Sequence, residues 1–236
     1  MDQRFLADTV CRRASLFDAM VEFNRSRLLA SGPSPALSFC LKNAPALLND
    51  PAVRRACANA SPETGFPGWW DFSEETQRLV LLPAEALHRL AFCFSAAVHA
   101  EELALVLDRE RVRELRTCMG DDIFSYAIRR GRYQIGSLRQ GIMAHLPPLP
   151  LLERVLLLAR TVLLLMAEPW PERLRQLWQE KLLQMDRLFP SSFFSEDAAP
   201  FGPLPQLSRE QRRALWFTLK KILLREAAPQ WAPCFD

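Results

Sequence analysis

Apolar and polar positions alternate along most of this chain with the period of an α-helix, and strand signals are nearly absent. There are few β-branched runs and no Asn-Gly hairpin turns. From Phe5 to Leu29 the pattern places Leu6, Val10, Phe17, Met20 and Val21 near one face, with Gly32-Pro33 as a stop. Asp50 before Pro51 reads as an N-cap followed by proline at the first helical position, opening a short helix over Ala52–Ala60. Ser61–Ser73 reads as a turn-rich loop with aromatic anchors, among them Trp69 and Trp70. Pro83 is placed to open a long helix reaching about Leu107, with Leu87, Leu90, Phe94, Val98 and Leu105 on its apolar side.

The second half continues in the same way. A helix over Arg109–Cys118 stops at Gly120, a candidate left-handed cap. Asp121 and Asp122 follow where a new helix favours negative charge and a capping oxygen. Ile123, Phe124, Ala127 and Ile128 form the apolar side of that helix, and Gly131 is expected to end it. His145-Leu146-Pro147-Pro148 breaks the chain before Leu151–Ala167, whose only polar strip runs through Glu153 and Arg160, so that helix should be covered nearly all round. From Pro171 a stripe of Leu174, Leu177, Trp178, Leu182, Met185 and Leu188 opposes Glu172, Arg175, Gln176, Gln179 and Gln184. Phe189–Leu207 is a proline-rich connector carrying Phe189, Phe193, Phe194 and Phe201. Ser208 with Gln211 fits a capping box, and the helix it starts runs to about Glu226.

These elements predict an all-α fold: a compact, irregular multi-helix bundle with a near-fully buried central helix at about 151–167. The 236 residues suffice for one helical domain over 1–236. A possible subdivision gives N-terminal helices at 1–60, a helical core at 61–188, the connector at 189–207 and a C-terminal helix and tail at 208–236.

Composition narrows the function more than the fold. Hydrophobic residues make up 49% and charged residues 24%, the balance of a soluble globular protein. The formal net charge of +3 is a weak basic bias for a dedicated nucleic-acid binder. The six cysteines include no CxxC pair, which predicts reduced, mostly buried thiols in a cytoplasmic protein rather than a zinc or disulfide framework. The N-terminus has no apolar run of signal-peptide length. Leu151–Ala167 carries three charges and falls short of the ~20 apolar residues a bilayer span needs, so no direct membrane insertion is expected.

Candidate chemistry is sparse. Glu85 and His88 have the spacing of a carboxylate-bridged di-iron half-site, and His99 with Glu102 the reverse, but the further pair and glutamates such a site needs are missing. Cys93 lies between His88 and His99 at separations that point to other sides of a helix. No GxSxG, P-loop or GxGxxG motif occurs, so no catalytic, cofactor or metal site is expected. The densest constellation is Asp108–Gly136. It outlines a helix-turn-helix, yet Asp121 and Asp122 stand at the end of the second helix that should approach phosphates. Arg129, Arg130 and Arg132 cluster at its other end beside Tyr133. They are the candidate partner-binding residues, since arginine and tyrosine are favoured at protein interfaces. Phe193, Phe194 and Phe201 form a second candidate patch. A DNA-binding regulator using 109–132 remains the alternative.

The residues also carry a family likeness. The stretch LLPAEALHRLAFCFSAAVHAEEL, the basic helix DRERVRELRTCMG and the element GDDIFSYAIRRGRYQIG, within Leu82–Gly136, resemble the middle of the YscK/SctK family of bacterial type III secretion systems. That resemblance implies a helical, non-catalytic adaptor in the cytosolic sorting platform. It would link the SctQ-type pod protein to the cytoplasmic domain of the SctD-type inner-membrane ring protein, with the SctL-type stator and the ATPase as indirect neighbours. It also implies a cytoplasmic location, peripheral to the inner membrane through these partners, and no fixed site residues.

Overall fold

The computed structural model describes residues 3–30, 69, 71–136, 138–186 and 207–235. Among them every regular element is helical, so the chain is all-α. Contacts divide it into two units, Met1–Glu74 with Pro233–Asp236, and Glu75–Ala232.

In the first unit the single helix expected over Phe5–Leu29 is two, α1 (Gln3–Arg12) and α2 (Ala14–Ala30). The backbone bonds from Arg13 to the Thr9 carbonyl and from Phe17 to the Arg13 carbonyl, each 3.0 Å, carry the chain through the junction. The buried face also differs from the periodic one. Leu16, Met20 and Phe23 are buried, Val10 is half exposed, and Phe17 and Val21 are half-buried. Asn24 explains part of the shift. Its side-chain amide donates 2.8 Å to the Trp69 carbonyl and accepts 2.8 Å from the Trp69 amide, tying the loop to the helix. Phe23 meets Phe72 edge to face at 5.9 Å, so the loop aromatics lie against the helix face they extend. The helix expected at 52–60, its Asp50 cap and Trp70 lie outside the described residues.

The second unit is organised around α3 (Ala84–Val98). A 3₁₀ segment, Glu75–Leu81, leads into it, and Pro83 occupies its N-cap position. The long helix expected to reach Leu107 breaks instead at His99. The short α4 (Ala100–Ala104) follows, and Leu105 is 78% exposed rather than part of an apolar face, with Leu107 beyond it 94% exposed. Then come α5 (Arg109–Met119), α6 (Asp121–Tyr126), a π-helical turn at Ala127–Gly131, α7 (Arg132–Ile135) and α8 (Leu138–Met143). Next are α9 (Leu151–Ala167), α10 (Glu172–Asp186), α11 (Arg209–Ile222), a second π turn at Leu223–Ala227 and a 3₁₀ turn at Pro229–Cys234, whose last two residues are assigned to the first unit.

Helix α9 has the expected bounds, and Glu153 is its one exposed side chain, so it is covered nearly all round. The hub, however, is α3: α6, α7, α9, α10, α11 and both π turns pack on it. Side-chain size explains why. Ala86, Ala91, Ala96 and Ala97 of α3 are buried and let several neighbours approach, whereas the leucines of α9 hold theirs at a distance. The Ser95 hydroxyl donates 2.7 Å to the Val155 carbonyl and pins α3 to α9. On α10, Leu174, Leu177, Trp178, Leu182 and Met185 are buried as the stripe predicts, and the Trp178 indole donates 3.1 Å to the Leu163 carbonyl. The Ser208–Gln211 capping box forms with both reciprocal bonds, at 2.9 and 3.2 Å.

Candidate interaction surface

The Asp108–Gly136 constellation folds as a corner against α3. Asp108 caps α5, accepting 2.9 Å from the Glu110 amide. Gly120, at φ 93°, turns the chain into α6, a backbone region that only glycine enters readily. Asp121 and Asp122 occupy the first turn of α6, where their charge suits the helix dipole, but neither caps it. Asp121 pairs with Arg116 at 3.6 Å, and Asp122 pairs with Arg89 of α3. The capping oxygen expected there is thus spent on ion pairs instead. Ile123, Phe124, Tyr126 and Ala127 are buried.

Gly131 does not end the helix. It keeps helical angles (φ −56°, ψ −44°) and lies buried against α3, where an added Cβ would stand 3.1 Å from both Cα and Cβ of Ala97. Glycine is needed there for close approach rather than for conformation. The π turn that contains it widens the helix by one residue, which turns the following side chains relative to an unbroken α-helix. Arg129 and Arg130 thereby fall within the turn and Arg132 and Tyr133 just beyond it, while Ala127 and Gly131 stay buried.

The four predicted residues separate on this geometry. Arg130 pairs at 3.2 Å with Glu226 of the second π turn, whose side chain is only 11% exposed, so it serves packing between the two turns. The same turn receives the Arg89 guanidinium on its Glu226 carbonyl at 3.3 Å. Arg132 lies over its neighbour Tyr133, 4.5 Å from the ring centroid, and donates to the tyrosine hydroxyl. Tyr133 is 70% exposed, and Arg129 is exposed with no hydrogen bond or ion pair to any described residue. The surface left for a partner is therefore Arg129 with the pre-stacked Arg132–Tyr133 pair. Phe193, Phe194 and Phe201 lie outside the described residues.

The groups considered for chemistry lie apart in character. Glu85 is exposed, and His88 is half-buried with its ring 4.7 Å from Phe92. Burial lowers the His88 pKa to about 4. His99 is fully buried. Its Nδ1 lies 2.9 Å from the Ser95 carbonyl, which can only accept, and its Nε2 has no hydrogen-bond partner among the described residues. Burial also holds its pKa below the usual histidine value. Burial pushes the Cys93 and Cys118 thiols up to about 12. Of the described cysteines, Cys93, Cys118 and Cys234 are buried and Cys11 is exposed. Among the described residues no cluster of three or more histidine, cysteine or acidic side chains is poised to hold a metal ion.

Two surface features escaped the sequence reading. Leu105, expected on an apolar helix face, lies just past the end of α4 at Ala104 and is exposed, as is Leu107 beyond it. A cleft of about 530 Å³ opens between α8, α9 and α11. Its signal in the sequence was the Gly141 of α8, a small residue facing long aliphatic ones. No helix among the described residues is long and apolar enough to cross a membrane. Comparison with known proteins gave no matching family model, no similar curated protein and no similar solved structure.

Proposed function

We propose that this chain is a non-catalytic adaptor that works through protein contacts. The observation that carries this reading is the corner formed by Arg129, Arg132 and Tyr133, which is exposed yet held on a backbone fixed by the Gly131–Ala97 contact. A stacked arginine–tyrosine pair loses little side-chain freedom on binding, so its contacts are gained at a lower entropy cost than those of free side chains. The nearby Glu226 and Glu101 are already paired, with Arg130 and Arg139, which leaves Arg129 and Arg132 as surplus positive charge suited to an acidic partner surface.

The resemblance of Leu82–Gly136 to the YscK/SctK family directs the proposal to the type III secretion sorting platform. There the chain would link the SctQ-type pod protein to the SctD-type ring domain, at the cytoplasmic face of the inner membrane. The DNA-binding alternative has less support: Gly120 alone separates α5 from α6, where a helix-turn-helix uses a turn of 3–4 residues. The exposed Asp121 and Asp122 also oppose phosphate contact.

Co-purification of the tagged chain with the pod and ring proteins is the test. Both should be retained, and Arg129→Glu with Arg132→Glu should release one of them while helicity is unchanged. Retention of neither by the unmodified chain would defeat the proposal.

A further inference from the structure

The cleft between α8, α9 and α11 is separate from the arginine corner. Its volume of about 530 Å³ falls within the range of small-molecule sites, about 300–1,000 Å³. Deep in it lie Phe94, Val162 and Leu215, each at most 1% exposed, so the interior is hydrocarbon. A site of this kind gains from taking an aliphatic chain out of water and offers nothing to a polar one.

Of the polar side chains that line the cleft, the buried Thr161 donates its hydroxyl to the Leu157 carbonyl and Gln211 gives its amide oxygen to the capping box and keeps a donor NH2, while His145 and Glu210 at the mouth supply acceptors. His145 Nδ1 lies 2.7 Å from the Gly141 carbonyl oxygen. A carbonyl only accepts, so Nδ1 carries a proton, and the tautomer this bond selects has Nε2 as its acceptor. Glu210 lines the same cleft, is exposed, and presents a carboxylate. An anion could in principle be drawn to the N-terminus of α11. The Ser208–Gln211 box already occupies the Gln211 and Ser208 amides, and the Glu210 charge faces any anion that approaches.

We infer that this cleft binds a single-chain amphiphile whose polar end donates hydrogen bonds, an aliphatic ammonium in preference to an aliphatic carboxylate. The chain fills the hydrocarbon interior, and the ammonium meets Glu210 and His145 Nε2 at the rim.

Two variants block the mouth without disturbing the fold. Gly141 is helical, and a Cβ built on it meets nothing within 4 Å, so Gly141→Leu extends into open space and raises helix propensity. Ala214 is exposed on α11 and lines the cleft, so Ala214→Leu adds bulk at the mouth from that side. Glu210→Gln keeps the side chain's size and the capping box but removes the charge.

The experiment is calorimetric titration of the full chain at pH 8 with dodecylammonium, dodecanol and dodecanoate below their aggregation concentrations, with helicity followed by circular dichroism. Dodecylammonium should bind one per chain, more tightly than dodecanol by about fivefold, the scale of an exposed ion pair. Dodecanoate should bind weakest. Gly141→Leu or Ala214→Leu should weaken dodecylammonium by roughly tenfold or more with helicity intact. Glu210→Gln should bring the ammonium and the alcohol level. Absence of binding by all three probes, indifference to both blocking variants, or dodecanoate binding as tightly as dodecylammonium would each overturn the inference. None of these results bears on retention of the pod and ring proteins, so the adaptor reading is tested separately.

Discussion

Replacing Gly131 by alanine should destabilise the protein, although alanine is the better helix former. Gly131 has ordinary helical angles, so the backbone would accept alanine, and restricting the unfolded chain would stabilise by about 0.4–1 kcal/mol. Against this, the new methyl would stand 3.1 Å from the Cα and Cβ of Ala97, in a buried contact between α3 and the π turn. Overpacking of this kind costs about 1–3 kcal/mol. The net effect should be a loss of about 1 kcal/mol, or roughly 2–4 °C in Tm for a chain of this size. Ala97→Gly removes one of the two clashing atoms and leaves the Cα, so the double variant should recover part of the loss. The cycle should show a favourable coupling of about 0.5–1 kcal/mol. Urea unfolding followed by circular dichroism, with the four proteins compared at equal m-value, measures it. A higher midpoint for Gly131→Ala, or strict additivity in the cycle, would refute the close-contact argument.

Further predictions rest on single features. Burial depresses the pKa of His88 to about 4, against an unfolded value near 6.5. The unfolded chain therefore binds more protons between these values, so this contribution is complete above about pH 6.5 and is lost as the pH falls towards 4. For this partly exposed ring the loss at pH 5 should be about 1–2 kcal/mol. His99 acts in the same direction. His88→Leu should flatten the fall in Tm between pH 7 and pH 5, and an unchanged slope would show that His88 does not cause it. Ser208→Ala should remove one arm of the capping box and cost about 1 kcal/mol by chemical denaturation, with Ser208→Asp restoring most of it. Trp178→Ala should cost about 3–5 kcal/mol, because the indole is fully buried and its N–H bonds the Leu163 carbonyl. Arg130→Ala should lower stability more than Arg129→Ala, since only Arg130 is paired with the nearly buried Glu226. Equal midpoints for the two would contradict the division of the arginine cluster.

Much of the local structure was legible in the chain. The Ser208–Gln211 box, the bounds of α9 and the buried stripe of α10 each depend on residues within a few turns, which is the range over which capping and periodicity operate. The errors have a common physical origin. Val10 and Leu105 fit an apolar period, but a period places side chains on a face without showing what packs over it, and both are exposed. Gly131 matched the pattern of a helix stop, yet it is a site of close approach, and only the presence of Ala97 across the contact distinguishes the two. The arginine cluster illustrates the same limit: one sequence pattern holds a packing residue, Arg130, beside Arg129, which has no ion pair among the described residues, because Glu226 is far away in the chain and near in space.

The sequence by itself determined that the chain is helical and where most of its second-half helices begin, because hydrophobic period, proline and capping residues act locally. It also marked α9 as enclosed, since leucines on nearly every side leave no face for water. Only the tertiary structure decided that α3 is the hub, because centrality depends on how many neighbours can approach. Buried alanines permit that approach in a way that hydrophobicity alone does not measure. It likewise decided which arginines stay free at the corner and where a cleft remains, since both follow from pairings between residues remote in the chain.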